Sequence, residues 1–442
     1  MCRQCLKMAK YLGIFVVILI LAAQQTWAVP SFARQTNLAC TACHSIFPQL
    51  NAFGRQFKIN GYTLTGINAI ESKAKDNETI LKLLSIPPFS AMAQTSFNSL
   101  REEEPRTQND NIEFPQQLSF FLAGEITPHL GAFIQITYDD QGASFGWDNT
   151  DIRFANNTSL FDKDLIYGVT LNNNPTVQDL WNNTPAWGFP YASSSSAPSI
   201  AAATLVDGGL AQQVAGAGGY LLYDNLIYGE FDVYRSAPQG FAQPLNSSAS
   251  NVIQGLSPYW RVAVQKQWAK RYLEIGTYGL ASRIYGAGIS GAINRFTDIA
   301  FDLQFEHNLS FGNCTAHATW IHEKQELEPI FSANNSNNLE TFRVDGNLYF
   351  LERYAFSLGY FTVTGNKDTE LYSPSRIDGS RVGKPNSNGL ITQIDFLPWL
   401  NAKFSLQYVL YNNFNGAKSN YDGYGRDATD NNTIYVLAWL LF

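Results

Sequence analysis

The sequence predicts an all-β transmembrane barrel of about sixteen antiparallel strands over residues 87–442, preceded by a small α-helical segment at 29–86. Three observations carry this prediction. Segments of roughly ten residues alternate apolar with polar positions. The connections between them alternate short with long. A long apolar run stands at the extreme N-terminus and no second one occurs, which argues against a helical membrane protein. Charged residues are 15 % and aromatics 14 % of the chain, and mean hydropathy is slightly negative. A barrel reconciles these values because only alternate residues of a strand meet lipid, although a large soluble β-protein would share them. The net charge of −7 is spread along the chain, so nothing points to nucleic acid.

Residues 1–28 read as a secretory signal peptide. Arg3, Lys7 and Lys10 precede the apolar core YLGIFVVILILAA, and Thr26-Trp27-Ala28 offers a small-residue cleavage site. Cys2 and Cys5 leave with it, and three cysteines remain. Cys314 lies in a strand-like stretch and reads as a small buried apolar residue.

The other two form Cys40-Thr41-Ala42-Cys43-His44, the C-x-x-C-H signature of covalent c-type haem attachment. Thiols at i and i+3 share one face of a helical turn and can bond the two vinyl groups, while His44 reaches the iron as proximal ligand. Zinc would call for further Cys or His nearby, and there is none before His129. Thioredoxin-like chemistry would call for a βαβ context, which is missing. The expected cofactor is therefore one haem c. Pro48 suits the first turn of a covering helix and Gly61 its end, with Leu50, Phe53 and Phe57 on one face. Arg55 and Lys58 are expected to be solvated or to pair with propionates. The segment 29–86 is too short to enclose a haem, so the rest of the pocket is expected from the chain downstream of it.

From Phe89 onward the strand pattern is clearest at 297–306, where Thr297, Ile299, Phe301, Leu303 and Phe305 oppose Asp298, Ala300, Asp302, Gln304 and Glu306. The stretches 342–350 and 402–410 repeat it. Short turns are expected near Pro128–His129, Asp224–Asn225, Lys270–Arg271, His307–Asn308, Glu352–Arg353 and Pro398–Asn401. Long loops are expected at 99–114, 235–257, 283–295, 322–338, 364–388 and 412–431. Glu102, Glu103 and Glu104 read as a solvated acidic run in the first of them. The chain closes on an aromatic, Phe442, as barrel-assembly signals do. The stretch 173–214 fits no strand and reads equally as a lumen constriction or an external loop.

Short turns on the periplasmic side place the haem segment there, feeding strand one from below. Along 89–98, Met92, Gln94, Ser96 and Asn98 share the face turned to the lumen. Met92 is the only methionine left after signal removal and leads the candidates for distal axial ligand. His317, His129 and His307 are its rivals, with His322 behind them. A gap-filling side chain is the plain alternative for Met92.

The stretches PSFARQTNLACTACHSIFPQLNAFGRQFKINGYTL (30–64) and PPFSAMAQTSF (87–97) resemble the fused monohaem cytochrome–porins of iron-oxidising bacteria. The segments DNTDIRFA (148–155) and NNPTVQDLWNNTPAWGFPY (173–191) add to the resemblance. It implies an outer-membrane barrel whose haem, on Cys40, Cys43 and His44, takes electrons from an extracellular donor such as Fe(II) and passes them to a periplasmic carrier. It settles neither Met92 nor the donor. Two other functions stay open: a passive porin with a haem-bearing periplasmic plug, and a haem peroxidase-like enzyme with a vacant distal site.

Overall fold

Every second residue from Phe89 onward turns inward, and that period fixes the architecture. The computed structural model describes residues 31–67, 69–73, 75, 79–105, 107–139, 144–236, 251–286 and 290–442. The expected leader lies outside the described residues. The first eight strands are β1 (Phe89–Leu100), β2 (Asn111–Thr127), β3 (Leu130–Asp139), β4 (Ser144–Leu160), β5 (Lys163–Asn172), β6 (Val214–Tyr223), β7 (Ile227–Ser236) and β8 (Ser257–Trp268). The rest are β9 (Arg271–Tyr285), β10 (Ile293–Leu309), β11 (Gly312–Glu326), β12 (Asn337–Phe350), β13 (Tyr354–Gly365), β14 (Ser387–Trp399), β15 (Ala402–Asn413) and β16 (Thr433–Leu441). Each pairs antiparallel with its neighbours, and β16 returns to β1 with Leu441 opposite Met92, closing the sheet.

Closure leaves no open edge, so the backbone groups of the strands are satisfied internally, as hydrocarbon demands. Outward positions are apolar: Val169, Leu171, Phe231, Val262, Ile275, Ile299, Phe301 and Leu358 all stand exposed. Inward positions are polar and buried, among them Asp298, Asp302, Gln304 and Glu306 of β10. No helix of the described residues is long and apolar enough to cross a membrane; the strands do the crossing. An even number of antiparallel strands, short turns at one end, long loops at the other and a lipid-facing belt define a transmembrane barrel of outer-membrane type. Parity also places Cys314 with Ala316, Ala318 and Trp320 on the outward face, half-exposed, so it is not the buried residue expected.

The segment before the barrel sits in the short-turn mouth. It carries helices α1 (Ser31–Thr36), α2 (Cys40–Cys43) and α3 (Ala52–Ile59). Its second half is not helical: Ala69–Lys73 pairs with Thr79–Leu84 as a two-stranded hairpin. The covering helix starts after Pro48, with Asn51 as N-cap accepting from the Gly54 N–H at 3.0 Å, and Gly61 stands just past its end at a φ of 73°.

The stretch between β5 and β6 folds into the lumen. Val177, Trp181 and Thr184 are fully buried. Barrel side chains hold it at many points: Asn183 Nδ2 donates to Glu274 and Asp302, Thr319 Oγ1 donates to the Asn183 carbonyl, and Glu323 and Asp298 accept from the Leu205 and Val206 N–H groups. Arg261, buried among Glu274, Asp302 and the loop's Asp179, ties the same loop to β8.

Candidate haem site

The motif Cys40–His44 is α2 followed by a short extended piece, His44–Ile46, which pairs with Gln49–Leu50. This fold-back brings Asn51 N to the Cys43 carbonyl at 2.9 Å and lays α3 across the cysteine turn. Gly54 makes the approach possible: a Cβ there would lie 2.2 Å from the Cys43 carbonyl oxygen. His44 Nδ1 donates to the Pro48 carbonyl at 3.0 Å. A carbonyl can only accept, so the neutral ring carries its proton on Nδ1 and leaves the Nε2 lone pair free, the arrangement seen around metal-ligating histidines. Burial pushes the His44 pKa down to about 4, so the ring is neutral across the physiological range. Burial pushes the Cys43 thiol the other way, up to about 11. Both cysteines are free and partly exposed.

All three residues border one cavity of about 410 Å³, within the range of about 300–1,000 Å³ usual for cofactor pockets. Its walls come from three parts of the chain. The N-terminal segment gives Phe47, Leu50, Phe53 and Phe57; the inward loop gives Asn182, Pro185, Trp187 and Tyr191. The barrel gives Met92 and Gln94 of β1, Phe121 of β2, Phe133 of β3, and Trp439 and Leu441 of β16. Aromatic contacts run from the motif to the barrel wall, His44 to Phe47 at 5.2 Å and Phe47 to Trp439 at 5.2 Å, both edge-on. Two thiols, an imidazole with Nε2 available, apolar aromatic walls and a thioether are a donor set and a lining that fit a covalently held haem. Among the described residues no cluster of three His, Cys, Asp or Glu side chains could hold a different metal ion.

The candidate distal ligands separate on this geometry. Met92 is 3 % exposed, faces inward and borders the cavity, with Gln94 Nε2 3.7 Å from its sulfur. His317 faces inward as its parity predicts, yet both ring nitrogens are engaged. Nδ1 donates to Asp345 Oδ2 at 2.9 Å, and Nε2 accepts from Gln49 Nε2 at 3.0 Å. His129 Nδ1 donates to the Ala155 carbonyl, and His322 is half-exposed beside Glu340. His307 alternates with the inward Glu306 and so turns outward. None of these four histidines borders the cavity.

Arg55 and Lys58 are buried, not solvated. Arg55 forms an ion pair with Glu306 of β10, donates to the Leu50 carbonyl at 3.0 Å and lies 4.0 Å above the Tyr272 ring. Lys58 Nζ donates to the carbonyls of Val177 and Asp179 at 2.7 Å each, joining α3 to the inward loop. Burial and the neighbouring Arg153 charge bring the Lys58 pKa down to about 7. A neutral amine has two N–H donors, one for each carbonyl. Tyr62 and Tyr220 add two more ties, from Tyr62 Oη to Asp151 at 2.7 Å and from Tyr220 Oη to the Ile59 carbonyl at 2.8 Å.

No family model and no curated protein matches the chain. Solved outer-membrane barrels resemble it in fold. A loop-deletion mutant of OmpT, an outer-membrane protein of Vibrio cholerae, is 11 % identical over 80 % of this chain and 98 % of its own, at a TM-score of 0.46. The outer-membrane channel DcaP of Acinetobacter baumannii is 10 % identical over 80 % and 96 %, at 0.47. An anion-selective porin from Comamonas acidovorans is 11 % identical over 80 % and 98 %, at 0.46.

Proposed function

We propose that this chain is an outer-membrane cytochrome–porin that carries electrons from an extracellular donor, Fe(II) foremost, to a periplasmic carrier. One haem c would be held by Cys40 and Cys43, with His44 as proximal and Met92 as distal ligand. The observation that carries the reading is the single cavity bordered by all four residues. When bound, the haem supplies a one-electron Fe(III)/Fe(II) couple, and His/Met ligation sets its potential high.

The residues around it support a conduit. The cavity climbs β1 from Ser90 to Gln94. At about 3.3 Å per residue and a tilt near 40°, that places its upper end roughly 13 Å above the start of β1, about half of an apolar band of ~25 Å. A passive porin fits less well, because the loop between β5 and β6 packs across the lumen with Trp181 fully buried. A peroxidase calls for an open distal position, which Met92, bordering the same cavity as His44, would fill.

The test is reduction of the haem in proteoliposomes by an Fe(II) chelate that cannot cross the bilayer and is presented to the long-loop side. Reduction that tracks the chelate and is lost in Cys40→Ala is expected. Absence of covalent haem, or a loaded protein left oxidised by the external chelate, sinks the reading. Planar-bilayer recordings check the rival: the intact chain should show little conductance, and excision of 176–212 should open a pore.

A further inference from the structure

The cysteine turn has a second side. Together with Phe53 it divides the mouth into two spaces. One is the cavity already described, against β16 and β1–β4; the other, of about 710 Å³, lies against β8–β12 and β14. Thr41, Ala42, His44 and Phe53 form its inner wall. Its outer wall comes from four successive short turns, β8–β9, β10–β11, β12–β13 and β14–β15, so it opens on the periplasmic side. His44 and Phe53 border both spaces, and Phe53 is 40 % exposed. One side-chain layer thus separates the haem cavity from an open vestibule.

The vestibule's charge is one-sided. Lys270, Arg271 and Arg353 line it, are exposed and have no ion-pair partner among the described residues. Of the carboxylates there, Glu306 is neutralised by Arg55, which leaves Glu352. Across the same end of the barrel two cations are matched, Lys163 by Asp224 and Lys82 by Glu125. Leu397, Pro398 and Trp399 line the vestibule beyond Arg353, at the end of β14. An exposed, unpaired cationic face attracts and orients an acidic one.

We propose that this vestibule docks the periplasmic electron carrier, and that the carrier is a small soluble redox protein presenting carboxylates around its redox centre. The proposal rests on the haem reading above. The cationic rim steers and orients the acidic face, and a protruding edge of the carrier enters the vestibule against His44 and Phe53. One electron would pass: the haem iron would go from ferrous to ferric, the carrier's oxidised centre would be reduced by one, and no bond or proton would move.

The experiment uses the full haem-loaded chain in nanodiscs, with plastocyanin as a small acidic blue-copper probe and a basic mitochondrial cytochrome c as its charge-reversed counterpart. Binding is measured by thermophoresis at rising salt. The native chain should bind plastocyanin with an affinity that falls as salt rises, and prefer it to the basic probe. The variant Lys270→Glu/Arg271→Glu/Arg353→Glu should lose about tenfold or more toward plastocyanin and reverse the preference. Its haem absorption should be unchanged, which reports an intact fold. Lys163→Glu, across the mouth, should bind as the native chain does. A shift under about twofold in the triple variant, or an equal loss in Lys163→Glu, overturns the proposal. A chain purified without covalent haem sinks the reading beneath it, whereas a loaded chain indifferent to charge reversal sinks this inference alone.

Discussion

Replacing Glu306 with Leu should release the N-terminal segment from the barrel mouth while leaving the barrel folded. The carboxylate faces the Arg55 guanidinium in a pair whose side chains are 10 % and 4 % exposed. Removing one partner of such a buried pair costs about 3–5 kcal/mol, because the other charge stays buried without compensation. Arg55 would keep its bond to the Leu50 carbonyl and its seat over Tyr272. Those contacts, each worth about 1 kcal/mol, place the expected loss at the lower end, about 3 kcal/mol. At about 1.4 kcal/mol per tenfold, docking of the segment weakens roughly a hundredfold. The assay is hydrogen exchange of the Ala52–Ile59 amides in detergent, with the amides of β9–β12 as internal standard. Arg55→Met should do as much harm. The pair Arg55→Met/Glu306→Leu should recover most of the protection, since apolar replacement of a whole buried pair is often neutral. Protection within threefold of native in Glu306→Leu, or a double variant no better than the worse single, would refute the claim that this pair seats the segment.

Other substitutions test the site directly. On the proposed ligation, Met92→Leu keeps volume but removes the thioether, so the methionine–iron absorption band should vanish and the midpoint potential fall, while His317→Ala leaves both unchanged. Gly54→Ala places a methyl group against the Cys43 carbonyl; covalent haem yield, read from haem-stained gels, should drop severalfold with barrel heat-modifiability retained. The Lys58 amine has a pKa of about 7 when docked against 10.5 for a free lysine. The undocked state therefore holds the extra proton between those values. Docking is weakest below pH 7 and strengthens toward 10.5, by up to ~1.4 kcal/mol per unit. Hydrogen exchange of α3 across this range should show the slope, and Lys58→Met should flatten it.

Alternation makes the barrel legible. Parity alone sets Met92, His317 and the inward carboxylates of β10 correctly, because a period of two leaves no third choice of face. The turn at Phe161–Asp162 is not legible: the two residues adopt φ values of 50° and 58°, yet the pair lacks the Asn-Gly or Asp-Gly chemistry that usually marks such turns. The strand expected to end near His307 runs on to Leu309 for a similar reason, since its polar terminal residues imitate a turn. The hairpin at 69–84 passes for helix in the sequence because its few apolar residues suit either period. The site is harder still. Cys40, Cys43 and His44 announce themselves by spacing, but the burial of Arg55 and Lys58 depends on Glu306 and on two carbonyls far along the chain, which no local pattern encodes. The direction of the loop between β5 and β6 is equally hidden, because its Asn, Thr and Asp side chains suit water and a polar lumen alike.

The opposition of Leu441 and Met92 at the closing seam has a bearing on biogenesis. The wall facing His44 is built from the first strand and the last, so it does not exist in any intermediate that still lacks β16. A nascent barrel stalled at fifteen strands presents the cysteine turn to an open gap. Zipping the seam is then the event that completes the pocket. Disruption of β16 would strip the site of Trp439 and Leu441 while sparing every residue of the motif that defines it.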